Sequence, residues 1–221
     1  MTTRTESEIP ALILLATCMT FASVNALGAP RSILLEESQI EFVVKEMGVP
    51  VPGKFKRFDA TIDIDPAKPE KSSANLRIEL GSLTTGNEEA DALAVGPDWL
   101  DKAHAQYAIF KSISIRALGG GRYEAKGALS IRNHERPMII QFSSADRAGG
   151  KNVITSEFII KRSEFGIGGG EWNEGGVVAE EVAVKVQLTL APAAAKTSAT
   201  DISLTRLAEN ETDNRTTPTA Q

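Results

Sequence analysis

From Ile33 to Leu190, apolar and polar residues alternate with a period of two. Side chains on a strand point to opposite faces in turn, so the pattern predicts half-buried strands rather than helices. Ile40, Phe42 and Val44 share one face of a first strand over 38–45. Phe58, Ala60, Ile62 and Ile64 alternate with Asp59, Thr61, Asp63 and Asp65; Ala74, Leu76, Ile78 and Leu80 alternate with Asn75, Arg77 and Glu79. A fourth, isoleucine-rich strand covers 110–116, and the alternation there does not fix its inward face. Tyr123 to Ile131, then Met138, Ile140 and Phe142, then Ile154 to Ile160, and finally Val182 to Leu190 bring the total to about eight strands.

The connectors are short. Gly119-Gly120-Gly121, residues 132–136 and residues 148–152 are expected to be hairpin turns. Val49-Pro50-Val51-Pro52-Gly53 is expected to lie outside any ladder, because proline has no N–H to give. One connection is long, 81–106; within it the alanine-rich stretch 88–95 predicts two helical turns, and 98–104 a further short turn. Parallel crossovers need a dozen or more residues each, so the strands are antiparallel. The expected fold is all-β: an antiparallel eight-stranded barrel with a short helical insertion between strands three and four. A two-sheet sandwich remains open on pattern alone. Eight is the strand number at which a closed barrel just holds one small ligand.

Both ends stand apart from this pattern. Residues 1–29 carry an apolar run, ALILLATCMTFASVNALGA, ending in small residues, as a secretory signal peptide does. Periplasmic export is the expectation; an uncleaved anchor or lipidation at Cys18 are the rival readings. Residues 191–221 are rich in Ala, Thr, Asn and Asp, too poor in large apolar groups to offset chain entropy, and are expected to be a disordered tail. That leaves one domain over 33–190.

Composition removes several functions. The chain has 221 residues and a net charge of −5, with 5% aromatics, so neither a basic nucleic-acid surface nor a base-stacking platform is expected. One cysteine and two histidines do not make a cysteine zinc site or an internal disulfide. His104 and His134 sit among loop charges, where solvation is the ordinary role. Asp63 and Asp65 share one strand face that reads as solvent-facing. Gly166 to Gly170 lacks the lysine and the strand-to-helix context of a phosphate loop. No cofactor and no catalytic set are expected.

The chemistry that remains is apolar. A barrel lined by Phe42, Val44, Phe58, Ile62, Leu76 and Ile78 from the first half, and by Phe110, Leu129, Ile140, Phe142, Phe158 and Val184 from the second, offers a dry slot. Each buried CH₂ of a guest is worth about 0.8 kcal/mol before entropic costs. The same side chains equally well fill the barrel solid. At the rim, Lys161 and Arg162 are candidate cations for a diphosphate or quinone head group, with Trp172 as a lid or packing residue; an outer-face ion pair with Glu164 or Glu171 is the alternative for the cations.

Five segments carry a more specific signal. They are Gly53-Lys54-Phe55-Lys56-Arg57-Phe58 with Ala60 to Asp65; Gly81-Ser82-Leu83-Thr84-Thr85-Gly86-Asn87; Asp98-Trp99-Leu100-Asp101 to Tyr107 to Ser112; Gly127 to Arg132; and Lys161 to Ile167 with Val177 to Val182. In this order they resemble the YceI-like family of periplasmic lipocalin-like proteins. The chain departs from that pattern at Glu37-Ser38, where the family often has His-Ser, and at Lys45, where a second histidine is usual. The resemblance implies a lipocalin-like barrel holding a polyisoprenoid, such as a quinone or a prenyl diphosphate, for transport, storage or stress protection. It favours the slot over the solid core. The partner is then a hydrophobic small molecule, with a homodimer among the expected assemblies. A non-carrier barrel that partners a membrane redox or envelope-stress system is the alternative.

Overall fold

A computed structural model describes residues 31–169, 172 and 177–193. The expected signal peptide with Cys18, and the tail beyond 193, lie outside the described residues. The strands are β1 (Arg31–Ser32), β2 (Gln39–Glu46), β3 (Val49–Phe55), β4 (Phe58–Asp63), β5 (Ser73–Glu79) and β6 (Leu83–Thr84). Five longer ones follow: β7 (Tyr107–Gly119), β8 (Arg122–Ile131), β9 (His134–Asp146), β10 (Asn152–Lys161) and β11 (Val178–Leu190). Among the described residues one α-helix, α1 (Glu88–Ala94), lies between β6 and β7, with the Asn87 side chain accepting from the N–H groups of Glu89 and Ala90.

All eleven strands form one antiparallel sheet, in the order β1-β4-β5-β7-β8-β9-β10-β11-β2-β3-β6. The alternation leads one to expect about eight; the added ones are the two-residue β1 and β6 and the proline-bearing β3. Contrary to expectation, Val49–Gly53 does join the ladder. β3 pairs with β2 along its whole length but with β6 only at Lys54 and Phe55, so Pro50 and Pro52 lie on an open edge, where a missing N–H breaks nothing. The ends of the sheet curl toward each other. Arg31 and Ser32 pair with β4, while the next residue, Ile33, bridges Leu190 at the end of β11, and Ala191 N–H donates to Ser32 O at 2.9 Å. The result is a barrel-like wall.

One end of this wall is packed solid. Tyr123 stacks on Phe142 at 5.3 Å, and Ile62, Ile115, Ala125, Ile154, Leu188 and Leu190 close around them, all buried. Glycine lets the wall pack closely at Gly127. A Cβ there would lie 2.4 Å from the Lys111 carbonyl oxygen and 2.8 Å from the Phe110 ring.

On β8, Glu124 is nearly buried and stands directly across from Arg116 of β7. The Arg116 guanidinium grips it with two bonds of 2.7 and 2.9 Å. Those hydrogen bonds, with the charge of Arg116, hold the Glu124 carboxyl below its ordinary value against the opposing effect of burial. A carboxyl depressed in the folded state contributes stability above its unfolded value, about 4.3, and that stability is lost as pH falls through the folded value. Glu124→Gln is therefore expected to show a shallower loss of urea midpoint than the wild type between about pH 5 and pH 2. Parallel slopes would show that the pair does not couple folding to pH.

Candidate functional site

The other end of the wall is hollow. A cavity of about 240 Å³ opens there, somewhat below the roughly 300–1,000 Å³ typical of small-molecule sites. Its walls are Ile40, Phe42 and Val44 of β2, Val51 and Phe55 of β3, Ile78 of β5, Leu80 just before β6, Leu83 of β6, and Ala108 of β7. Leu129 and Ile131 of β8, Phe158 and Ile160 of β10, and Val178, Val182 and Val184 of β11 complete the sheet's share. Alternation places these side chains on one face, and the curled sheet points that face inward.

The long connection closes one side. Ala90, Leu93 and Ala94 line the cavity from α1, at the i, i+3, i+4 spacing that puts residues on one helical face. Trp99, Leu100, Ile167 and Trp172 add an aromatic and aliphatic cap. The polar lining is sparse: Glu46 and Thr85 on the hairpin and helix side, and Arg162 at the cap. Glu46 and Leu93 are also solvent-exposed, so the cavity opens at their level.

Of the residues expected to line a slot, Phe42, Val44, Ile78, Leu129, Phe158 and Val184 do so. Phe58, Ile62, Leu76, Phe110, Ile140 and Phe142 are not among the cavity's lining. They point inward but belong to the packed core, fully buried or, for Phe58 and Leu76, partly so. The barrel interior is therefore hollow at one level and packed at another.

Neither rim cation is free to hold a head group from inside. Lys161 is exposed on the outside. Arg162 is buried at 2% exposure, and its five N–H groups meet five carbonyl oxygens. Nε donates to Ala179 at 3.2 Å; Nη1 to Ile167 at 2.9 Å and Gly168 at 3.0 Å; Nη2 to Trp172 at 2.8 Å and Val178 at 3.3 Å. Among the described residues it pairs with no carboxylate. Arg162 thus ties the glycine-rich segment to the start of β11. Gly168 has φ of +73°, and a Cβ there would meet Arg162 Nη1 at 2.4 Å, so the close approach requires glycine. A second arginine, Arg132, fastens the same segment to the long connection by donating to Gly166 O and, at 2.7 Å, to Pro97 O.

Trp172 does reach the cavity. Its ring lies 5.6 Å from that of Trp99, and the Arg162 guanidinium sits 5.9 Å over Trp99. Among the described residues, Trp99 Nε1 is buried without a hydrogen-bond partner.

The histidines are elsewhere. Nδ1 of exposed His104 contacts half-buried Asp101 at 2.9 Å, and His134 packs against Gly166. Asp65 caps its own turn, accepting from the N–H groups of Ala67 and Lys68. Asp63 is raised from its ordinary value by burial first and by the charge of Asp65 second. Among the described residues no group of three or more His, Cys, Asp or Glu is placed to hold a metal ion.

An all-antiparallel curled sheet with an internal apolar cavity is the architecture of lipocalin-like binding proteins. The model of the YceI-like domain matches residues 32–190, and the chain belongs to that family. It is 30% identical over 136 residues to a UPF0312 protein of Vibrio cholerae serotype O1, covering 59% of this chain and 72% of that one. A UPF0312 protein of Pseudomonas savastanoi pv. phaseolicola is 28% identical over 136 residues, 59% of this chain and 71% of its own. Among solved structures, Burkholderia cenocepacia BcnA superposes with a TM-score of 0.69 at 33% identity, over 71% of this chain and 98% of that one. A polyisoprenoid binding domain from Saccharophagus degradans, implicated in plant cell wall breakdown, shares the fold at TM-score 0.58 and 14% identity, over 73% of this chain and 97% of that one.

Proposed function

We propose that this protein is an exported carrier that shields the apolar tail of a polyisoprenoid, or of a similar long-chain amphiphile, in the hollow half of its wall. The observation that carries this reading is the cavity itself: open at one level and lined almost wholly by apolar side chains. In this reading the eleven strands act as eight staves, with β1 and β2, β3 and β4, and β5 and β6 each counted as one broken stave. The proposed guest is a quinone or a prenyl diphosphate, with its tail inside and its head at the opening. Residues 1–29 support a periplasmic location, where such a guest needs shielding from water in transit, in storage or under stress. The Saccharophagus domain of the same fold, described as binding polyisoprenoids, supports the class of guest. Because Arg162 is engaged by carbonyls and Lys161 points away, selectivity rests on the tail. Binding, not catalysis, is the function.

Native mass spectrometry of the protein purified without detergent tests this. A bound apolar mass, released by organic extraction, is the expected result. A ligand-free protein that also takes up no added polyprenyl quinone overturns the carrier reading and leaves an interaction module acting through its outer surface.

A further inference from the structure

The β2–β3 hairpin turns through two residues, Met47 and Gly48, both at positive φ, +47° and +81°. This left-handed geometry is ordinarily met by Asn, Asp or Gly, and an L side chain with a Cβ is strained in it. Met47 nevertheless occupies the tip with 75% of its surface exposed, followed by Val49 at 63%. A large apolar side chain thus stands in water, on a backbone that disfavours it, without adding to the core. Such a double breach of local preference marks function rather than stability.

The tip belongs to the cavity mouth. Glu46 and Val51, on the two arms of the same hairpin, line the cavity. Met47 N–H donates to Val177 O at 2.6 Å, which sets exposed Val177 beside the tip. From α1, half-exposed Leu93 both lines the cavity and reaches solvent. The apolar rim is continuous with the apolar interior.

We infer that this rim docks on a lipid bilayer, with Met47 and Val49 entering the headgroup–acyl boundary and the cavity mouth facing the membrane. The inference rests on the carrier reading for its purpose. A guest that prefers this cavity to water is stored in lipid, so loading is fastest where the mouth meets that phase. Four apolar side chains around an open mouth fall far short of the roughly 20–30 residues a side of a stable protein interface, which favours a membrane over a second copy. Exposed Glu46 is offset by exposed Lys45 beside it on β2, so the hairpin tip carries no net charge and docking is to zwitterionic lipid.

The test uses the full chain and ligand-free phosphatidylcholine vesicles. Met47→Asn with Val49→Thr is expected to lower the vesicle partition coefficient about tenfold. Because Asn-Gly suits this turn, the thermal midpoint is expected to hold or rise. To read the hairpin apart from residues 1–29, Cys18 is replaced by Ser and an environment-sensitive nitrobenzoxadiazole dye is attached to a cysteine placed at Val49. The emission is expected to shift to the blue on adding vesicles, while the same dye at Ile113, exposed on β7, stays unmoved. An unshifted dye at position 49 overturns the proposal. So does a shift in sedimentation showing that the substitutions break a dimer instead. The two readings fail separately. Docking without any bound guest sinks the carrier alone, and a guest taken up from detergent without docking sinks the membrane contact alone.

Discussion

Arg162→Met is expected to lower the unfolding free energy by about 3 kcal/mol, since a buried acceptor left unsatisfied costs about 1–3 kcal/mol and several are left at once. The cause is the set of acceptors left behind. Five carbonyl oxygens, from Ile167, Gly168, Trp172, Val178 and Ala179, converge on this guanidinium. Arg162→Lys keeps the charge but offers three donors on a compact head in place of a flat five-donor fork, so it is expected to recover no more than about half of the loss. Urea denaturation followed by tryptophan emission is the measurement. The chain's two tryptophans, Trp99 and Trp172, both sit at this cap, so the emission reports its integrity directly. An unchanged midpoint in Arg162→Met would falsify the view of Arg162 as the strut of the cap.

The strut was not legible in the sequence. At the end of an alternating strand, Lys161-Arg162 reads as two rim cations. Which of them turns inward depends on the path of the glycine-rich segment that follows, and that path is set by long-range contacts such as Gly168 N–H to Asp98 O at 2.8 Å. The strands themselves were legible, because burying one face of each fixes a period of two that survives in Phe58 to Ile64 and in Val182 to Leu190. The same period explains the errors at the site. Alternation tells which face a residue occupies, not how far along the barrel it lies. Phe42 and Phe142 therefore look equivalent, though one walls the cavity and the other stacks on Tyr123 in the solid end. The prolines of β3 misled for a related reason: a missing N–H excludes an inner ladder but not the open side of an edge. One signal was present and unused. Ala90, Leu93 and Ala94 carry a helical apolar face on the insertion, and such a face needs something apolar to cover.

A substitution that fills the hollow is expected to abolish guest binding while sparing the fold. Ala108 is buried on β7 and lines the cavity, so in Ala108→Phe the ring projects into empty space. It displaces about five methylene-sized groups of a guest, about 4 kcal/mol of burial or a thousandfold in affinity. Its stability is expected to stay within about 1 kcal/mol of the wild type, since volume added to a void strains nothing. Ala125→Phe is the contrast. Ala125 is as buried but lies in the packed end, outside the cavity's lining, so its added ring has nowhere to go and is expected to cost about 1–3 kcal/mol or more. Uptake of a fluorescent polyprenyl analogue and urea midpoints, measured on both variants, separate the hollow end from the solid one. If Ala108→Phe binds the analogue as the wild type does, the guest does not reside in this cavity. If the two variants lose equal stability, the wall is packed alike throughout, and the division of the interior into a core and a container is wrong.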